Sequence, residues 1–254
     1  MVQFNLPKNS KILKGKYFKD KTGSSNLKLV HIYRWDPEKN ENPREDTFEV
    51  DLNTCGNKVL DILNKIKNDL DSSLTFRKSC AHGVCGSCAM NVDGVNTLSC
   101  MKSHKDINGD LRIFPLPHLK VVKDLVADVS WNYKQNKKIT PFTPDHNKKD
   151  SDGNYVMMQE DVDRVQEFRK CIECYLCQNV CHVLRDHDKK DKFVGPRVML
   201  RIAGLDMHPL DMVDRIPAAK EEHGSGMCNI TRCCTNVCPE DIQITDNAII
   251  PVKA

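Results

Sequence analysis

The chain is 254 residues long, with 38 basic residues against 35 acidic ones and a formal charge of +3. This near-balance excludes a dedicated nucleic-acid or polyanion binder, and no segment approaches the ~18 consecutive apolar residues of a transmembrane helix. The length suits about two domains of ~100–200 residues each, and a hydrophobic share of 39% suits two modest cores rather than one large one.

Residues 1–26 open with a run of lysines (Lys8, Lys11, Lys14, Lys16, Lys19 and Lys21) and read as a solvated N-terminal arm. The opening lacks the apolar core of a secretory signal. It has no arginine before Arg34, which argues against a transit peptide. Leu27 to Trp35 alternates as a strand does, Asp36-Pro37 through Pro43 supplies a turn, and Phe48, Val50 and Leu52 share one face of a second strand. Val59, Leu60, Leu63, Ile66 and Leu70 recur at helical spacing, which predicts an amphipathic helix over 57–70. A cysteine loop follows, then a hairpin turning at Asp93-Gly94 and a closing strand near Leu111 to Phe114. These elements make one domain over 27–138. The stretch 139–155 is rich in Pro, Asp, Lys and Asn and reads as a linker. Helical stretches near 160–170, 197–206 and 209–222 then alternate with further cysteines in a second domain over 156–254.

Thirteen cysteines are present, an odd number with no export signal before them, so metal binding in a reducing compartment is expected rather than disulfides. Eleven fall into three groups. Cys80, Cys85, Cys88 and Cys100 read C-x4-C-x2-C-x11-C, the plant-type [2Fe–2S] spacing. Cys171, Cys174, Cys177 and Cys181 read C-x2-C-x2-C-x3-C, and Cys228, Cys234 and Cys238-Pro239 read C-x5-C-x3-C-P. These two runs resemble the paired loops of bacterial two-cluster ferredoxins, in which the last Cys of each run serves the other cluster. Zinc is the rival reading, but zinc sites usually use two separated C-x2-C pairs. A run of four cysteines at three- and four-residue steps instead wraps a cubane.

With that crossover, the resemblance implies Cys171, Cys174, Cys177 and Cys238 around a [4Fe–4S] cluster and Cys181, Cys228 and Cys234 around the other. The second run lacks a cysteine three residues after Cys228, where Thr231 stands, so the last cluster is expected as [3Fe–4S]. Cys233 neighbours the vacant corner. It is expected to pack as a small apolar residue, and if it entered the site the cluster would become [4Fe–4S]. Cys55 is expected as a buried structural thiol. In the first loop, Gly83 and Gly86 permit tight turns and let backbone N–H groups approach sulfur, while Ser79 and Ser87 are further candidate donors.

Strand, strand, helix, cluster loop and further strands are similar to the β-grasp of plant-type ferredoxins, so the expected class is α+β with a helical bacterial-ferredoxin-like second domain. The whole layout resembles the iron–sulfur subunit of succinate dehydrogenases and fumarate reductases. IYRWDPEKNENPREDTFEVDL, LTFRKSCAHGVCGSCAMNVDGVNTLSC and FPLPHLKVVKDLV are similar to the succinate dehydrogenase branch. EFRKCIECYLCQNVCHV and CNITRCCTNVCPEDIQITDNAIIP look like another branch of the superfamily. The resemblance implies an FAD-containing flavoprotein partner that oxidises succinate to fumarate, passage of single electrons through [2Fe–2S], [4Fe–4S] and [3Fe–4S], and delivery to a membrane quinone beside one or more anchor subunits. It also implies a peripheral position on the cytoplasmic face of a bacterial inner membrane. This chain shows no dinucleotide fingerprint and no catalytic constellation of its own. The alternatives are a fumarate reductase subunit working in reverse (including a soluble or heterodisulfide-linked arm), a free-standing multi-cluster carrier, and a structural zinc protein.

The chain departs from the family pattern at Ala81-His82, where Arg-Glu is common, and at His182, where Pro often follows the cysteine. It departs again at Asp186, in place of a quinone-site Trp, and at Asn229, in place of a His. The quinone pocket therefore stays unassigned, with His182 as a candidate for a proton or hydrogen bond there.

Overall fold

The computed structural model describes residues 11–39, 41–187 and 189–254. They form two compact units that meet between Asp128 and Val129.

The first unit is a mixed sheet with a helix packed on it. Strands β1 (Leu13–Phe18), β2 (Leu27–Arg34), β3 (Arg44–Asp51), β4 (Ala89–Val92), β5 (Val95–Leu98) and β6 (Leu111–Phe114) lie in the order β1-β3-β2-β6-β4-β5. β2 runs antiparallel to β3 and parallel to β6, while β4 is antiparallel to both β5 and β6. The alternation expected for β2 places Val30 and Ile32 at 0% exposure, opposite half-buried His31 and Tyr33. Across the sheet Phe48, Val50, Leu111 and Ile113 complete the same apolar face.

Helix α1 (Val59–Lys65) covers that face with Val59, Leu60, Ile62 and Leu63. Asp61 accepts the Lys58 N–H at 2.9 Å and so meets a donor that the first helical turn leaves free. The expected helix over 57–70 ends in a widened π turn, Ile66–Leu70, closed by Asp71 N–H donating to the Ile66 carbonyl at 2.8 Å. Asp93 and Gly94 take φ of 48° and 80°, the paired positive values of a tight hairpin whose twist suits the strands. A small ribbon, β7 (Val121–Lys123) with β8 (Val126–Ala127), completes the unit.

One buried charge organises this unit. Arg34 continues the inward face of β2 at 3% exposure. Its guanidinium meets Asp46 at 3.4 Å, Asp71 at 2.5 Å and Asp124 at 3.1 Å. Asp124 also accepts the N–H groups of Trp35 and Thr75, each at 3.0 Å, and so ties β2 to the β7–β8 turn. Burial by itself would raise the Asp71 carboxyl, but hydrogen bonds from Ser73 and Arg34 outweigh it and hold it at about 2.

Two expectations for this unit are corrected. The N-terminal arm is a strand from Leu13: β1 pairs in parallel with β3, and Phe18 stacks on Phe48 with ring centroids 4.5 Å apart. Its lysines Lys11, Lys14, Lys16, Lys19 and Lys21 are nonetheless exposed, and Lys8 lies outside the described residues. Cys55 is half-buried at the core's edge, and burial raises its thiol.

The second unit is helical: α2 (Ser130–Asn136), α3 (Gln159–Arg169), α4 (Leu176–Val180), α5 (His182–Arg185), α6 (Pro196–Asp206), α7 (Ile216–Glu221), α8 (Cys233–Asn236) and α9 (Ile250–Lys253), with a π segment at Ile244–Ile249. α6 is its hub. Val198, Met199, Leu200, Ile202 and Ala203 are all buried to 1% exposure or less. Pro196 pre-sets the first helical turn.

The unit boundary precedes the expected 139–155 linker. Trp131 and Ile139 already pack in the second core, and Arg215 donates to the carbonyls of Thr140 at 3.0 Å and Pro141 at 2.8 Å. The expected helix over 209–222 is also shorter. Residues 209–215 are spent bridging to that strap, with Asp145 N–H on Leu210 O at 2.9 Å and Met212 N–H on Thr143 O at 3.0 Å. Helix α7 starts only at Ile216-Pro217. Among the described residues, no helix is long and apolar enough to cross a membrane.

Candidate metal centres

The first cysteine group lies on the loop between α1 and β4, closed by Cys100 just after β5. Ala81, Gly83 and Gly86 take φ of 63°, 88° and 67°, and this succession of left-handed turns curls the loop. Cys88 and Cys100 are buried at 2% and 3% exposure, and Cys80 and Cys85 are half-buried. Ser87 Oγ lies 3.1 Å from Cys85 Sγ. That hydroxyl and the backbone N–H groups of Cys80 and Ser87 pull the Cys85 thiol down to about 6. Burial and the neighbouring Cys88 thiol push Cys100 up to about 12, partly offset by the Gly83 N–H. Cys80 interacts with both Cys85 and Cys100, so the four expected side chains sit in one neighbourhood. Ser87 is the serine in contact. His82 contributes a backbone N–H to Cys80 Sγ at 3.5 Å.

In the second unit the two cysteine runs adopt the same backbone. Glu173 and Tyr175 have φ of 54° and 61°, and Ile230 and Arg232 have φ of 57° and 60°. Tyr175 and Arg232 each precede a short helix, α4 and α8, whose second residue is Cys177 and Cys234. Superposing the two patterns matches Cys171 with Cys228, Cys177 with Cys234, and Cys174 with Thr231. Thr231 thus stands at the corner where the second run lacks a cysteine.

The last cysteine of each run crosses to the other's cavity. One cavity is lined by Cys171, Cys174, Cys177 and Cys238, with Ile172, Leu200, Ile242 and Ile244 as apolar wall. A second is lined by Cys181, Cys228 and Cys234, together with Cys233, Thr231 and His182. Cys177 interacts electrostatically with Cys234, so the two cavities are neighbours within the unit.

Burial pushes the Cys174 thiol up to about 12, Cys181 to about 11, and Cys177 well above its ordinary value. Four thiolates in an apolar wall are unfavourable alone, and a positively charged body among them reverses that preference. The donor sets thus fit iron–sulfur clusters: soft thiolates, an apolar shell and hydrogen bonds to sulfur. Those bonds include Ile230 N–H to Cys228 Sγ at 3.4 Å and Thr245 Oγ1 at 3.3 Å from Cys234 Sγ. Among the described residues, no three His, Cys, Asp or Glu side chains are placed to hold a single metal ion.

Cys233 differs from its expected apolar packing. It is half-buried, lines the second cavity, and sits 3.4 Å from the Thr231 hydroxyl. His182 Nδ1 lies 3.5 Å from the same hydroxyl, and its Nε2 lies 3.0 Å from Asn229 Nδ2. Two of the unusual residues, His182 and Asn229, therefore form one polar cap at the vacant corner. Asp186 is ion-paired with Arg185 at 2.7 Å.

Sequence reasoning missed Arg197. It is the second residue of α6, lines the first of the two cavities, and pairs with Glu173 in the 171–177 loop. The signal available was its place just inside a Gly-Pro helix start, which carries no hint of a cluster. Gln178, adjacent to Cys177, accepts the Arg197 backbone N–H at 3.2 Å and donates to Val194 O at 3.1 Å. Gly195 is required between them: its φ is 85°, and a Cβ there would stand 2.1 Å from Gln178 Oε1.

A mixed-sheet unit and a helical unit, each built round converging thiols, define an iron–sulfur electron-transfer protein. Comparisons with known proteins are specific. Residues 29–134 match the 2Fe-2S iron-sulfur cluster binding domain family, and residues 167–242 match the 4Fe-4S dicluster domain family. The chain is 38% identical over 250 residues to the succinate dehydrogenase iron-sulfur subunit of Paracoccus denitrificans, covering 95% of this chain and 93% of that one. It is 46% identical to a chain of the Mycobacterium smegmatis Sdh1 complex in the apo form, with a TM-score of 0.82 over 91% of this chain and 95% of that chain. The chain belongs to the iron–sulfur subunits of succinate dehydrogenase, and is thus a subunit of an oxidoreductase.

Proposed function

We propose that this chain relays electrons from an FAD-containing flavoprotein, which oxidises succinate to fumarate, to a quinone held by a membrane anchor. The first unit is read as a β-grasp domain, in which Cys80, Cys85, Cys88 and Cys100 hold [2Fe–2S]. Cys171, Cys174, Cys177 and Cys238 hold [4Fe–4S], and Cys181, Cys228 and Cys234 hold [3Fe–4S]. When bound, these groups supply one-electron carriers of graded potential. The chain's own part is to exclude water with the apolar walls, to donate N–H and O–H groups to sulfur, and to keep two carriers adjacent through Cys177 and Cys234. The observation that carries the reading is the crossed lining of the two cavities, with Cys238 beside the first run and Cys181 beside the second.

Attachment to the cytoplasmic face of the inner membrane then comes through the anchor. Co-purification from membranes with a flavoprotein and a hydrophobic subunit tests the partners, and isolation as a soluble monomer would refute them. Iron and acid-labile sulfide assays, with low-temperature electron paramagnetic resonance, test the clusters. The expected signals are an oxidised three-iron one and a reduced [2Fe–2S] one; zinc without sulfide would overturn the assignment.

A further inference from the structure

We propose that Arg197 sets the reduction potential of the group held by Cys171, Cys174, Cys177 and Cys238, by donating from Nε and by placing a buried positive charge at the cavity wall. This rests on the cluster reading above and adds a residue to it.

The side chain is 9% exposed, and its Nε has no hydrogen-bond partner within the protein. A buried guanidinium donor without a partner is costly and calls for an explanation. The cavity that Arg197 lines supplies one, because sulfide and thiolate sulfur there are acceptors. Cys171 and Cys177 are also within electrostatic reach of the guanidinium.

The position is fixed from three sides. Gln178 holds the backbone, Pro196 starts the helix, and Glu173 takes one terminal nitrogen. Other charges near the cavity are weaker influences. Arg169 and Arg201 line an open cavity that adjoins this one at Cys171, Arg197 and Leu200, and both are exposed, so water screens them. The acids in view are Glu173, whose side chain is 43% exposed, and half-buried Glu240. The arginine's is therefore the most buried of these charges, and its partner Glu173 is the more solvent-screened member of the pair. Reduction adds one electron beside a fixed cation, so the cation favours the reduced form and raises the potential.

The experiment is a potentiometric titration of the assembled membrane complex, followed by electron paramagnetic resonance. Arg197→Met should lower the midpoint of this one group by at least 59 mV, a tenfold change in its reduced-to-oxidised ratio, and leave the other two unmoved. Arg197→Lys, which keeps the charge, should recover most of the drop. Glu173→Gln removes the opposing anion and should raise the midpoint. If Arg197 merely braced the loop through Glu173, Glu173→Gln would lower the midpoint instead, and that result overturns the proposal. An unmoved midpoint in Arg197→Met overturns it equally. Should Arg197→Met fail to assemble, Arg197→Gln, a polar side chain without the charge, decides: a lowered midpoint supports the role, and an unmoved one refutes it. Absence of any [4Fe–4S] signal in the wild type would sink the cluster reading itself, a distinct outcome.

Discussion

Thr231→Cys restores the thiol that the second cysteine run lacks, and its effect can be worked out from the local geometry. Thr231 occupies the backbone position that Cys174 holds in the first run, between two left-handed residues in each case. Its hydroxyl contacts are long and exposed, 3.5 Å to His182 Nδ1 and 3.4 Å to Cys233 Sγ. Losing them costs about 1 kcal/mol at most. Thiol and hydroxyl side chains are close in size, so no cavity opens. Structural zinc sites gain about 10–16 kcal/mol over four ligands, roughly 3 for each, and a fourth thiolate on iron is taken as of that order. The net of about 2 kcal/mol exceeds the ~1.4 kcal/mol that gives a tenfold preference. More than nine-tenths of the sites should therefore hold four irons. The oxidised three-iron resonance should fall in proportion, and the iron content should rise by one per chain. An unchanged three-iron signal in folded variant protein would refute the placement of the vacant corner.

Cys233→Ser should retain the oxidised three-iron signal, because the expected ligand set omits that thiol; loss of the signal would make Cys233 a ligand. Acid should weaken the first unit through Asp71, whose folded value of about 2 lies below its ordinary 3.8. The stabilisation is complete above about pH 4 and disappears as pH falls from there towards 2. After allowance for solvent screening it amounts to about 1 kcal/mol. Asp71→Asn should remove that slope from urea-unfolding midpoints measured against pH, and an unaltered slope would disprove the assignment. Arg215→Ala strands a buried Asp211, now 2.9 Å from the guanidinium, and frees the carbonyls of Thr140 and Pro141. It should cost about 3–5 kcal/mol and speed proteolytic cleavage within 139–149. Cleavage at the wild-type rate would show that the strap is held otherwise.

The elements most legible in the sequence were those whose packing repeats with a simple period. Val30 and Ile32 on β2, Phe48 and Val50 on β3, and the stripe from Val59 to Ile66 each bury the face their spacing marks. The elements that were misread depend on distant partners. Leu13–Phe18 is polar enough to pass for an arm, and it becomes a strand because Lys16 N–H finds Asp46 Oδ1 at 2.7 Å and Phe18 finds Phe48. The 139–155 stretch has linker composition, yet Arg215, some 75 residues later, fastens its start. Polar composition reports exposure of side chains, not freedom of the backbone.

The same distinction divides the candidate metal centres. Spacing identifies thiols because a cluster must be reached by sulfurs at short chain intervals, and that is a one-dimensional constraint. The conformation that presents them is not one-dimensional. Glu173, Tyr175, Ile230 and Arg232 all adopt left-handed φ without being glycine, at a cost of order 1–3 kcal/mol each. For β-branched Ile230 the local preference is clearly against it. Such residues persist only where the surroundings over-determine them, and here the same strained pair recurs in both runs at matched distances from the cysteines. Recurrence of an unfavourable conformation in both cysteine runs, at residues of different type, points to a shared demand placed on both loops from inside the cavities. Converging thiols around a common kind of guest supply that demand, whereas local turn preference supplies none.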